Sequence, residues 1–358
     1  MTNRKKTNIT LAEVSKAAKV SLNTAAKVLA GQSKTARISE KTAKKVQKIA
    51  QTLGYVPNQM ARNLRAQKTR IIGIFVADMI DPIYAAITHA ILEELPKHNL
   101  FPLLTVAEAG YEMCRQTWLR NRIDGLIFCG TNAEMTPQVF AELKKRNIPA
   151  VIAGNYYLPS NHSAFLPQVS LVHIDNHAGM QLAINHLVEQ KKQKIAFITG
   201  PKFHSDAQDR LQAYEYIIKN YQKTIIADLN TDERFWQRGY LALKKIFEQN
   251  IKIDAVIAYD DLVAIGAIKF LNENSVNIPN DVAVVGFDNL PQAEYSTPSL
   301  TSLYQPAQAI GQRSVELLVK HLEHENKIEH VHMMPVLVPR ESTQFGNARN
   351  NQNYISHL

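Results

Sequence analysis

The sequence predicts an α/β fold: a two-lobed body of parallel sheets behind a small all-α head. Three observations predict it. From residue 71 onward, short apolar runs alternate with helical segments. Before residue 71 the apolar residues fall at helical spacing in three short stretches. The charge is also divided: residues 1–70 hold 16 Lys and Arg against Glu13 and Glu40, a net +14, and the rest holds −5, giving the +9 of the 358-residue whole. A basic head of this kind is the electrostatic footprint of a polyanion binder.

In the head, Thr10-Leu11-Ala12-Glu13 is a capping-box pattern, followed by Leu11, Val14 and Ala17/Ala18 on one helical face. Ser21 caps a second helix through Ala25, Val28 and Leu29, which stops near Gly31. Two short helices joined by a three-to-four-residue turn make a helix-turn-helix. A third helix opens at Ser39 with Ala43, Val46, Ile49/Ala50 and Leu53 on one face and Lys41, Lys44, Lys45 and Lys48 on the other. In a helix-turn-helix the second helix enters the major groove N-terminal end first. Its exposed early positions are Leu22, Asn23, Thr24 and Lys27. Asn pairs with adenine, Lys donates to guanine and Leu touches a thymine methyl, while Thr24 suits a phosphate. Thr10, Ser21 and Arg37 complete the DNA-binding residues expected in the head. The bland alternative is a helical bundle whose polar face is merely solvated.

Pro57 stops helical continuation and Asn58 can cap the next segment, so Gln59–Arg65 reads as about two helical turns, marginal in isolation. The body then presents apolar runs at Ile71–Ala77, Phe101–Val106, Leu126–Cys129, Ala150–Ala153, Leu171–Ile174, Ile195–Thr199, Ile225–Ala227, Ala255–Ala258 and Val282–Phe287. Such runs suit strands buried on both faces, and their alternation with helices predicts parallel βαβ units. Nine units are too many for one open sheet with a single site, hence two lobes.

The sequence resembles the LacI/GalR family of bacterial repressors. The matching residues are Ile9–Ala18, Val20-Ser21-Leu22-Asn23-Thr24, Leu53-Gly54-Tyr55-Val56-Pro57-Asn58 and Ala61-Arg62-Asn63-Leu64-Arg65. In the body they are Ile72-Gly73-Ile74, Asp81-Pro82, Ile123–Ile127, Ile148-Pro149, His173-Ile174-Asp175-Asn176, Lys194–Ile198, Ile278–Asp288 and Pro339-Arg340-Glu341-Ser342. Two departures stand out. This chain reads Thr24-Ala25-Ala26-Lys27 where the family has Thr-Val-Ser-Arg, and its 31–39 connection is longer. The resemblance implies a hinge helix that pairs with its dimer mate in the minor groove, with Leu64 as wedge and Asn58, Arg62 and Arg65 at the DNA. The other reading has Leu64 packing on the core. The resemblance also implies a periplasmic-binding-protein-like body with a ligand between lobes. The expected domains are 1–57 (head), 58–70 (hinge), 71–345 (body) and 346–358 (polar tail). Lobe one is expected at about 71–170 with 300–322, and lobe two at about 171–297 with 323–345.

Ligands of open α/β sheets bind beyond the carboxyl ends of strands. That selects Asp78, Asp81, Asn155, Asp260, Asp261 and Asp288, with Tyr84 and Tyr259 as apolar faces. The resemblance adds Arg210 and Gln305. Asp175, Asp261 and Asp281 read equally well as helix or loop caps, and Asp81 is open between cap and ligand contact. Arg210 and Asp288 are the strongest candidates, because a guanidinium and a carboxylate facing a cleft suit hydroxyls. Asp260, where relatives carry Asn, is acceptor-only and suits hydroxyl donors, pointing to a sugar or polyol.

No apolar stretch reaches the ~18 residues of a membrane span, and no signal-peptide core opens the chain, so a cytoplasmic protein is expected. Cys114 and Cys129 read as free thiols. His321, His324, His330 and His332 read as surface residues; no metal or cofactor is expected. Dinucleotide, phosphate-loop and nucleophile-elbow motifs are absent, which argues against an enzyme. A transport or chemotaxis component would share the body but not the head. The expected function is a homodimeric repressor of a double-stranded DNA operator, switched by a carbohydrate effector.

Overall fold

Capping chemistry sets the length of each helix in the head. A computed structural model describes residues 9–55, 68–131, 137–157, 169–227, 235–325 and 327–344, and the chain divides into two compact units at the Thr69–Arg70 junction. Helix α1 (Leu11–Ala18) opens on a complete capping box and closes at Lys19, which adopts φ 53°. Helix α2 (Leu22–Leu29) is capped by Ser21, and α3 (Glu40–Thr52) by Ser39. Val14, Ala18, Ala25, Val28, Ala43, Val46 and Ala50 form their shared core. The small alanines let three short helices approach closely, which short apolar stripes need in order to bury anything. The long connection is itself ordered: Gln32 N–H donates to Lys27 O and Ile38 N–H to Ser33 O.

The body contains two six-stranded sheets. The first runs β11-β5-β4-β3-β1-β2, built from β1 (Ile71–Val76), β2 (Phe101–Val106), β3 (Gly125–Cys129), β4 (Ala150–Ala153), β5 (Ser170–Ile174) and β11 (His330–Met333), and its pairs are parallel. The second runs β12-β10-β9-β8-β6-β7, from β6 (Ile195–Ile198), β7 (Ile226–Ala227), β8 (Ala255–Ala258), β9 (Ala283–Asp288), β10 (Thr301–Tyr304) and β12 (Val336–Val338). Only β12 pairs antiparallel among the described strands. The central strands β3, β4, β8 and β9 are buried along their whole length, as near-continuous apolar runs require.

All nine expected runs are strands, but the lobe boundaries need correction. Residues 300–322 are expected in lobe one, but Thr301–Tyr304 form β10, which pairs with β9 in the second sheet. Conversely, β5, assigned to lobe two from residue 171, pairs with β4 in the first. The 323–345 stretch is shared, β11 lying beside β5 and β12 beside β10. The physical reason is strand burial: Thr301 and Ser302 have no exposed surface, because Ser342, Thr343 and Asp261 satisfy their polar atoms. The chain leaves the second sheet only after β10, and α12 (Ala307–Leu322) then packs on α4 (Pro82–Glu94) of the first lobe.

Pro339-Arg340-Glu341-Ser342 acts as a latch on the second lobe. Arg340 donates to Leu300 O and Asn289 Oδ1, each at 2.7 Å, and Ser342 Oγ donates to Val284 O at 2.6 Å. In the same lobe, α9 (Phe235–Glu248) and α10 (Asp261–Glu273) touch backbone to backbone at Gly239 and Gly266.

Candidate functional site

The head presents α2 as an exposed edge. Leu22 is 46% exposed, and Asn23 and Lys27 also reach the surface. Ser21 Oγ accepts from Thr24 N–H at 3.0 Å and pairs with Thr24 Oγ1 at 2.8 Å, so both hydroxyls belong to the cap that fixes the start of α2. Thr10 N–H donates to Glu13 Oε2 at 2.6 Å and Thr10 Oγ1 to the same oxygen at 2.8 Å. These bonds hold the Glu13 carboxyl below its usual range. Thr10 and Ser21 thus set helix starts as well as standing where phosphates are expected. Arg37 sits on a left-handed turn, φ 51°. Asn58, Arg62, Leu64 and Arg65 lie outside the described residues, as does the tail. Replacing Lys27 by Ala is expected to cost about 1–3 kcal/mol at one base position. Binding to a set of single-base operator variants checks this; a uniform loss across the set makes Lys27 a phosphate contact instead.

Asp78, Asp81, Asn155, Tyr259, Asp260 and Asp288 stand at or just after the carboxyl ends of β1, β4, β8 and β9, and Arg210 and Tyr84 lie on the helices that follow strands. Arg210, on α8 (Ser205–Ile218), is only 2% exposed. Its guanidinium stacks 3.5 Å over the Phe287 ring and 4.9 Å from that of Tyr259. Nε donates to Asn176 Oδ1 at 2.8 Å, Nη1 donates to Tyr259 O, and Nη2 stands 3.9 Å from Asp206 Oδ2. Asp288 ends β9 with φ 109°, a left-handed conformation that strains a non-glycine residue and is typical of functional positions. Burial pushes its carboxyl well above the ordinary range, opposed by Arg210, and Gln305 Nε2 donates to it. Asp260 caps α10 through Val263 N–H at 2.7 Å, and burial raises it too.

Across the cleft, Tyr84 donates its hydroxyl to Asn155 Oδ1 at 2.5 Å. Burial pushes the phenols of Tyr84 and Tyr259 well up, so both stay protonated donors. Asp81 of the first lobe adds a weak electrostatic push on the protonation of Tyr259 and Asp288 in the second. Asp81 also accepts from Ile83 N–H at 3.0 Å, so it caps α4. Asp78 plays a different part. Its Oδ1 accepts from Ile80 N–H at 2.8 Å and shapes the loop that presents Asp81. The lobes are clasped at one side, where Tyr156 N–H donates to Ser205 Oγ at 3.0 Å and Tyr157 bridges His204.

Sequence reasoning missed Asn176, Asp206 and Phe287, which hold Arg210. Asn176 lies inside the quoted His173–Asn176 motif, and Phe287 precedes Asp288, so proximity to named positions was the available signal. Asp261 resolves as a structural cap: completely buried, it accepts from Ser302 Oγ at 2.5 Å and Leu290 N–H at 2.7 Å.

Burial pushes the Asp261 carboxyl up to about 8, against the pull of those two donors. A folded value above the unfolded one, about 3.9, means the folded chain holds this proton more tightly. Its contribution to stability is complete below about pH 4 and is lost as pH rises through about 8. Asp261→Asn keeps both partners, because Ser302 can accept as well as donate. The thermal midpoint of the unsubstituted protein is therefore expected to fall relative to the variant between about pH 5 and about pH 8. Parallel pH profiles remove Asp261 as the source.

An exposed helix-turn-helix edge on a basic head, with a two-sheet α/β body behind it in the chain, has the make-up of a DNA-binding regulator. Residues 10–58 match the family model for bacterial regulatory proteins of the lacI family, and residues 184–343 match that for a periplasmic binding protein-like domain. The ribose operon repressor of Halalkalibacterium halodurans is 30% identical over 344 residues, 94% of this chain and 98% of that protein. Among solved structures, the lac repressor dimer bound to operator and an anti-inducer has TM-score 0.78 at 23% identity, covering 94% of this chain and 99% of that one. A LacI family regulator from Enterococcus faecalis V583 with bound ribose has TM-score 0.64 at 26% identity, covering 76% and 98%. The chain belongs to the lacI family of bacterial regulatory proteins and is a DNA-binding transcriptional regulator. These relatives are regulators rather than enzymes. No described helix is long and apolar enough to cross a membrane.

Proposed function

We propose that this protein is a cytoplasmic, homodimeric repressor whose operator affinity is set by a small sugar bound between the lobes. One observation carries the reading: a buried guanidinium is stacked on Phe287 and bonded to the Tyr259 carbonyl, the residues immediately before the buried carboxyls of Asp288 and Asp260. A sugar ring offers hydroxyls that exchange hydrogen bonds with these carboxyls and an apolar face for Tyr259, while Arg210 and the tyrosines serve its oxygens. The 30%-identical ribose operon repressor and the ribose-bound relative make ribose the first ligand to test.

In this reading two heads on one dimer contact half-sites about one helical turn apart. Sugar binding reorients the lobes and so changes how segment 58–70 of each chain meets the minor groove. A coupling of about 1–3 kcal/mol makes a useful switch. Isothermal titration calorimetry of the full chain against ribose, cellobiose and hypoxanthine tests the ligand class. Saturable binding of a sugar supports the proposal; exclusive binding of the nucleobase overturns it.

A further inference from the structure

The lobes meet a second time on the far side of Arg210. His173 sits on β5 of the first sheet, whereas Asp206 and Asp209 lie on the first turns of α8 in the second lobe. One donor atom from each of the three lies within 4.8 Å of the others. His173 is 8% exposed, and its Nδ1 is buried without a hydrogen-bond partner among the described residues. Buried polar atoms are ordinarily satisfied, and each one left over costs about 1–3 kcal/mol. A cavity of about 540 Å³ opens beside the cluster, lined by His173, Asn176, Asp209, Gln212, Tyr216 and His332 among others. The His332 ring lies 4.3 Å from that of His173.

We propose that His173, Asp206 and Asp209 form a binding site for a divalent transition-metal ion of the zinc class, bridging the two lobes. Zinc-class ions bind imidazole nitrogen and carboxylate oxygen at about 2.0–2.2 Å, so tetrahedral ligands stand roughly 3.3–3.6 Å apart. The three donors already lie within 4.8 Å of one another, so reaching that spacing takes side-chain shifts of at most about 1.5 Å. The cavity leaves the fourth position to water or to the His332 imidazole. Charge favours the ion. Two carboxylates share this place with one guanidinium, Arg210, and with the Asn176 amide, which donates to Asp206 Oδ1 at 2.9 Å. The nitrogen donor separates this site from magnesium and calcium sites, which take oxygen ligands. Asn176 also accepts from Arg210 Nε, so an ion on Asp206 lies two hydrogen bonds from the effector cleft.

The test titrates Zn²⁺ into the full-length chain by calorimetry, and follows Co²⁺ by its visible absorption, which is intense only in tetrahedral sites. One ion per chain is expected. Asp209→Asn, an isosteric change, and His173→Gln are each expected to weaken binding at least tenfold and to remove the Co²⁺ band. His324→Gln, on the exposed turn after α12, is expected to change neither. Unliganded melting curves confirm that the variants fold. The proposal is overturned if no stoichiometric ion binds, or if Asp209→Asn binds as tightly as the unsubstituted chain, the behaviour of adventitious surface histidines.

Discussion

Arg210→Lys is expected to weaken sugar binding at least about 100-fold, about 2.8 kcal/mol, and to leave operator affinity within threefold. The guanidinium does three things at once: it lies flat on Phe287, donates through Nε to Asn176 and donates through Nη1 to the Tyr259 carbonyl. An ammonium is a point charge on a flexible stem and cannot present that planar fork. Lysine is the informative replacement because it keeps the charge. Truncation to alanine leaves Asp206 and the buried acceptors uncompensated, at a stability cost of about 3–5 kcal/mol, which confuses lost binding with lost folding. Calorimetry with the sugar and fluorescence anisotropy with an operator duplex check the two halves. Undiminished sugar affinity in the lysine variant removes Arg210 as the clamp.

Gly239→Ala is expected to destabilise the body by at least about 3 kcal/mol, the upper end of overpacking costs. An added Cβ stands 1.8 Å from Val263 O, and the reciprocal contact places a Cβ at Gly266 1.9 Å from Trp236 O. Both obstacles are backbone, so no side chain can swing aside. The helices must part, opening the core of Val263, Ala264 and Ala267 against Ala242 and Leu243. At about 2–4 °C per kcal/mol for a domain of this size, the thermal midpoint drops by about 6–12 °C. A drop under about 2 °C means that α9 and α10 do not meet through their backbones.

The sequence displayed the body's apolar strands because burial on both faces writes uninterrupted runs such as Ala255–Ala258. It concealed β10, β11 and β12. Thr301 and Ser302 are polar yet fully buried, made tolerable by partners about forty residues away that no local pattern reveals. His330–Met333 and Val336–Val338 are short and partly exposed, so they carry no buried-strand signature. The misplaced lobe boundaries arise from those three strands and from β5, whose apolar run was legible but whose pairing with β4 was not. In the cleft, residues directly after strands were legible from topology alone, as with Asp288 and Asp260. Asn176 and Asp206 were not, because they stand at the N-terminal turns of helices and act by holding Arg210. Asp78 obeyed the same strand-end rule and is occupied with its own turn, which shows that position selects candidates and geometry decides between them.

In the proposed function, clustered cationic side chains in residues 1–70 grip operator phosphates and a sugar bound by the body sets how tightly. The most direct measurement is the affinity of the full chain for a symmetric operator duplex at about 50 and about 200 mM salt, with and without saturating sugar. Counterion release predicts a loss of at least about 100-fold across that range. The sugar is predicted to change affinity by about 5- to 150-fold, and residues 71–358 alone are predicted not to bind. Salt-independent affinity, or equal affinity in the chain lacking residues 1–70, contradicts the account.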